Sequence, residues 1–119
     1  MAEPIVAKIA EIVGGPLCVS ADDGQRVYDK IVPLIREGRA VALSFQGVET
    51  LISAFLNAAV GQFYGEFPEA RIRELLSVRD ISQDDLGILK RVVENAKRYF
   101  ANKPAYDAAW KAEVSDDEE

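Results

Sequence analysis

Arg39-Ala40-Val41-Ala42-Leu43-Ser44-Phe45 is a compact run of small apolar and β-forming residues that follows a helical stripe by about one residue. Apolar residues at consecutive positions, not alternate ones, belong to a strand covered on both faces. Just upstream, Val27, Ile31, Leu34 and Ile35 recur at offsets of 0, 4, 7 and 8, the stripe of a helix lying on a sheet. Ser20 is placed to cap that helix, Asp22 and Asp23 put carboxylates at the positive end of its dipole, and Gly38 suits its end. Pro33, inside the stripe, predicts a kink on the solvent side or a second short segment. A helix followed by a buried strand predicts a βαβ unit, right-handed if its strands pair in parallel.

Outward from this unit, Ile5 to Val13 alternate loosely and predict a strand. Gly14-Gly15-Pro16 then predicts a turn, and Leu17-Cys18-Val19 a short run pairing back antiparallel as a β-hairpin. Downstream, Ser53 is expected to cap a helix from Ala54 to Tyr64 that buries Leu56, Ala59, Val60 and Phe63, with Gly65 in the left-handed position past its end. Pro68 suits the first position of another short helix carrying Ile72, Leu75 and Leu76 inward. Val78 to Ile81 reads as a short strand or a connector. Ser82 and Asp85 make a capping-box-like start for the longest helix, whose stripe of Leu86, Leu89, Val92, Val93, Ala96 and Phe100 runs to Asn102 before Pro104 stops it. The expected division is a domain over residues 1–103 and an extension over 104–119 that ends in acidic residues. In that extension Tyr106 and Trp110 are four apart, so a helix would set them on one face to dock on their own domain or on a second copy.

Composition narrows the function. A chain of 119 residues, 49% apolar and 29% charged, fits one globular domain that buries roughly two-thirds of its unfolded surface. No apolar run approaches the roughly 20 residues of a membrane span. Met1-Ala2-Glu3-Pro4 has no basic region and Lys8 and Glu11 break the apolar run that follows, so no secretory signal is expected and the cytoplasm is the expected compartment. The net charge of −6 opposes nucleic-acid binding; Asp116, Asp117, Glu118 and Glu119 supply four of those charges and leave −2 over residues 1–115. Cys18 is the only cysteine and there is no histidine, which removes disulfides, cysteine-built metal sites and Ser-His or Cys-His nucleophiles. No enzyme activity, cofactor or metal is expected.

The residues that stand out are weighed accordingly. Asp22-Asp23 and Asp84-Asp85 read as helix-start acids before they read as cation ligands. Gly14-Gly15 lacks the spacing and the Lys-Ser/Thr pair of a phosphate loop. Cys18 reads as a small buried hydrophobe. The unusual texture lies between Val41 and Tyr64, where a buried strand leads into a helix. Free backbone N–H groups and the Ser53 hydroxyl at the start of that helix suit an anion or a phosphoryl group, and Asn57 lies one turn on. The tip formed by Thr50 to Asn57 is therefore the expected recognition surface.

Ala40-Val41-Ala42-Leu43-Ser44-Phe45-Gln46-Gly47-Val48-Glu49, followed by Ser53-Ala54-Phe55-Leu56-Asn57-Ala58-Ala59-Val60-Gly61-Gln62, resembles the STAS-like domain family of uncharacterised bacterial proteins. Asp23-Gly24-Gln25-Arg26-Val27-Tyr28 and Glu94-Asn95-Ala96-Lys97-Arg98-Tyr99-Phe100 fit it too, so the resemblance covers about residues 5 to 102. That family is similar to STAS domains, the anti-sigma-factor antagonists and sulfate-transporter tails, in which a serine at a helix tip is the phosphorylation switch. Aligned without gaps, the usual Asp-Ser-Ser pattern falls on Ile52-Ser53-Ala54, so the phosphoacceptor position holds Ala54 and the preceding acid is Ile52. Ser53 substitutes only if the register or the kinase differs. The resemblance implies an α/β fold with a STAS-like mixed sheet of four to five strands and helices mainly on one face. It also implies a bacterial regulatory module without catalysis that binds a kinase-type ATPase or anti-sigma-like protein, homodimerisation being left open. Two alternatives stand: a small-ligand sensor for a nucleotide or another anion, and a subunit of a larger enzyme or toxin–antitoxin-like complex.

Overall fold

The computed structural model describes residues 3–101; the extension from 104 to 119, with Tyr106 and Trp110, lies outside the described residues. Its elements are β1 (Ile5–Lys8), α1 (Ile9–Val13), β2 (Leu17–Cys18), α2 (Ala21–Arg36), β3 (Val41–Ser44), β4 (Thr50–Leu51), α3 (Ser53–Leu56), a π turn (Asn57–Gly61), α4 (Phe63–Glu66), α5 (Glu69–Leu75), β5 (Leu76–Arg79) and α6 (Gln83–Ala101).

The run from Arg39 to Phe45 behaves as its composition requires. All four residues of β3 are buried, and β3 is the centre of a three-stranded parallel sheet ordered β1-β3-β5. The register pairs Ile5 with Val41 and Val41 with Leu76, so Ile5, Ala7, Val41, Leu43, Leu76 and Val78 share one face and join the core. On the other face Val6, Lys8, Ser77 and Arg79 are exposed, while Ala42 and Ser44 are buried between them.

Helix α2 leads from β2 into β3, and Val27, Ile31 and Ile35 are each at most 1% exposed. Ser20 caps it, its Oγ accepting the Asp23 N–H at 3.1 Å. Pro33 is exposed and the helix runs on through it to Arg36. At the far end Gly38 takes φ 81°, and the Gly38 N–H donates to the Ile35 carbonyl while the Arg39 N–H reaches Leu34, the paired bonds of a Schellman ending. Arg71 of α5 donates to the Ile35 carbonyl at 3.0 Å, and Arg36 reaches Glu66 at 2.9 Å, so the end of α2 is tied to α5 and α4. At the opposite end of the chain order, the Ser82 Oγ accepts the Asp85 N–H at 3.1 Å and starts α6.

Four expectations are corrected. The sheet is three parallel strands plus a separate two-stranded parallel pair, β2 with β4, and not one mixed sheet of four to five strands. The stretch from Ile5 to Val13 is a strand only as far as Lys8; Ile9–Val13 is helical and ends on Gly14 at φ 93°, so no hairpin forms. Leu17 and Cys18 pair instead with Thr50 and Leu51, parallel and remote in sequence. Gly65 lies inside α4, where the Phe100 ring occupies the space that a Cβ would need.

The caps provide a direct check on this description. Ser20→Ala and Ser82→Ala are each expected to lower stability by about 1 kcal/mol, the usual cost of an N-cap oxygen. Ser53→Ala, whose hydroxyl caps nothing, is expected to stay within about 0.5 kcal/mol of the parent. Denaturant melts of the three variants read the difference, and a Ser53→Ala loss equal to that of Ser20→Ala would contradict it.

Candidate functional site

The tip from Thr50 to Asn57 is built by the small sheet. Parallel pairing holds β2 against β4, with the Glu49 N–H donating to the Pro16 carbonyl at 2.8 Å and the Ile52 N–H to Cys18 at 3.1 Å. Side chains alternate along both strands. Cys18 and Leu51 point into the core, while Leu17, Val19, Thr50 and Ile52 point out. Leu17 is 52% exposed, Val19 44% and Ile52 38%, which places three of the five large exposed hydrophobics among the described residues on this strip.

The chain stays extended through Ile52 (φ −120°, ψ 160°), so the helix begins at Ser53 itself. Ile52, not Ser53, occupies the cap position, and no side chain caps the helix. The cap expected at Ser53 is corrected for this reason: the extended conformation stops at Ile52, one residue earlier than a cap at Ser53 requires, so Ser53 is already helical. Thr50, Ser53 and Ala54 are exposed and lie with the apolar strip. Phe55 and Leu56 turn fully inward. Asn57 is also exposed, but it opens the π turn and lines a groove against α6.

The strip went unnoticed in the sequence, yet its signal is there. Leu17 and Val19 flank Cys18, and Thr50 and Ile52 flank Leu51, two short period-2 patterns that meet only when the strands pair. Charge around it is one-sided: residues 14–25 and 40–70 contain no Lys or Arg, while Asp22, Asp23 and Glu49 border the strip in sequence.

A second concavity opens beyond the ends of β3 and β5, about 420 Å³ in volume and lined by Glu49, Asp80, Asp84 and Asp85 among others. At its edge the buried Ser44 hydroxyl donates to Asp80 Oδ2 at 2.8 Å, and Asp80 takes φ 60°. Among the described residues no group of three or more Cys, Asp or Glu side chains is placed to hold a metal ion. No helix of the described residues is long and apolar enough to cross a membrane.

Burial pushes the Cys18 thiol up to about 11, with the Asp23 and Asp85 carboxylates adding to the effect. A thiol whose folded pKa is raised contributes stability in full below the ordinary value of 9.0, and that contribution is lost as pH climbs from there to about 11. In the folded chain Cys18 is expected to resist a disulfide reagent at pH 8 until denaturant is added. Labelling at the rate of free cysteine would contradict its burial.

A family model described as a STAS-like domain of unknown function matches residues 23–86, from the first turn of α2 to the first turn of α6. No curated protein and no solved structure matches the chain.

Proposed function

Because the chain belongs to the STAS-like domain family, we propose that it is a regulatory module without catalysis that docks a protein on the outward face of β2 and β4 and the start of α3. The observation that carries this reading is the exposed strip of Leu17, Val19 and Ile52 beside Thr50, Ser53 and Ala54. Grouped apolar side chains rimmed by polar ones suit a protein interface, whereas scattered ones need no explanation. The absence of Lys and Arg from both stretches that build the strip favours a partner surface that is apolar at its centre and basic at its rim. A kinase-type ATPase or anti-sigma-like protein is the kind of partner that the family resemblance implies. With Ala54 and Ile52 in place of the usual serine and acid, docking on this face works without a phosphorylation switch at Ala54.

The same residues favour the anion-sensor reading less. Helix α3 has four residues and passes directly into the π turn, and no cation between residues 40 and 70 stands ready to hold a phosphate.

The test is affinity for a protein recovered from the native host with the full chain as bait. Ile52→Asp is expected to weaken binding by about 30-fold or more, the scale of losing a central apolar anchor and desolvating a carboxylate. Ser53→Glu should weaken it as well, while Lys90→Glu on the exposed side of α6 should not. Equal affinity for the parent and Ile52→Asp would move the interface elsewhere.

A further inference from the structure

Among the described residues β1 pairs only with β3, and its other edge is open. The Ile5 N–H donates to the Ala40 carbonyl at 2.9 Å, and along a parallel ladder residues that bond to one neighbour alternate with residues that face away from it. The Val6 N–H and carbonyl, followed by the Lys8 N–H, are therefore directed at the open edge. A groove of about 370 Å³ runs along that edge. All four residues of β1 line it, from both faces of the sheet, which sets the groove against the strand's backbone. Its other wall is Lys30, Ile31 and Leu34 of α2 with Ile12 of α1. Ile5, Ile12 and Leu34 are only half-buried there, and Val6 is 45% exposed on the outer face. Lys30 is exposed and pairs with no acid among the described residues. The opposite edge of the sheet differs. The concavity beside β5 is about 250 Å³, and Glu69 engages both of its cations, Arg73 at 2.6 Å and Lys97 at 2.8 Å.

We propose that β1 is a docking edge for a short extended segment of another protein, which adds to the sheet as a fourth strand. This edge belongs to a different sheet from the face of β2 and β4 and goes beyond the docking placed there. The chemistry of the groove sets that of its occupant. Outward backbone groups on Val6 and Lys8 suit another extended backbone, because a helix satisfies its own donors and acceptors along its sides. The half-buried Ile12 and Leu34 suit an apolar side chain of the segment, and strand alternation turns its neighbour towards the outer face. Lys30 suits an Asp or Glu of the segment. Pro4, the preceding position on the outward side, has no N–H, so pairing centres on Val6 and Lys8 and fits a short segment better than a long ladder. A second copy fits less well: β1 reads Ile-Val-Ala-Lys and has no acid to meet Lys30.

A displayed library of random short peptides, selected on the full chain, supplies the probe. Retained peptides are expected to share apolar–polar alternation with an acidic residue, and one of them, once synthesised, to slow solvent exchange of the Val6 and Lys8 amides. Lys30→Glu, at an exposed helix position, is expected to weaken that peptide by about tenfold or more, the scale of a lost charge-assisted contact. Val6→Pro removes an outward N–H while leaving the bonds to β3 in place, and should weaken it as much. Methylating the peptide's backbone nitrogens should abolish binding with the protein untouched, whereas Ile52→Asp should leave affinity unchanged. A selection that retains no peptide overturns the proposal. So does a peptide indifferent to both Lys30→Glu and backbone methylation, or one lost with Ile52→Asp, which belongs to the face of β2 and β4. A dimer of the parent chain that Val6→Pro dissolves would put a second copy on the edge and overturn it as well.

Discussion

Phe63→Ala is expected to destabilise the domain by about 3–5 kcal/mol, enough to leave a chain of this size close to its folding threshold. Phe63 is fully buried, with the Tyr28 ring edge-on at 4.8 Å and the Phe67 ring stacked at 6.1 Å. It therefore joins α2, α4 and the lead-in to α5, and its removal leaves a cavity bounded by three elements that cannot collapse together. A denaturant melt reads the loss directly; a change below about 1 kcal/mol would show that these elements do not share one core.

Gly24→Ala is expected to cost more than about 2 kcal/mol although alanine is the better helix former by about 1 kcal/mol. Gly24 is buried on α2, where a Cβ would collide with the Phe55 carbonyl oxygen and stand 2.9 Å from the Ala58 Cβ. The obstacle is largely backbone, so neither helix can yield by turning a side chain. The start of α2 packs directly on α3 and the π turn, and separating them would displace the segment that carries the proposed docking face. Gly87→Ala is the matched control. It is an exposed glycine in α6 with nothing within 4 Å of its would-be Cβ, and the same substitution there should stabilise by about 0.5–1 kcal/mol. Equal effects at the two glycines would contradict the close approach.

Much of the fold was legible where local pattern and tertiary role coincide. The four consecutive buried residues of β3, the stripe of α2 with Ser20 and Gly38 at its ends, and the Ser82 start of α6 are all readable because sequence neighbours settle them. The stretch from Ile5 to Val13 was not, because Ile5, Ile9, Ile12 and Val13 stand at offsets of 0, 4, 7 and 8 and so satisfy a helical period as well as a strand's. Over nine residues the two periods cannot be separated by hydrophobicity alone. The pairing of β2 with β4 was hidden for a different reason. Leu17 finds its partner at Thr50, across all of α2 and β3, and local turn chemistry at Gly14-Gly15 pointed to the nearer strand instead. Thr50, Ser53 and Ala54 do lie exposed together at the tip, but the apolar strip beside them depends on that remote pairing, and so did not show. One-turn spacing groups Asn57 with the tip, whereas the π turn sets it on the groove facing α6.

A protein docked on the outward face of β2 and β4 would shield the backbone beneath it. Amide hydrogen exchange of the full chain, with and without the protein it captures from its host, tests it most directly. Added protection is expected over residues 17–19 and 50–56, with little change along the exposed side of α6. Protection confined to α6, or to the edges of β1 and β5, with 17–19 and 50–56 unchanged, would contradict it.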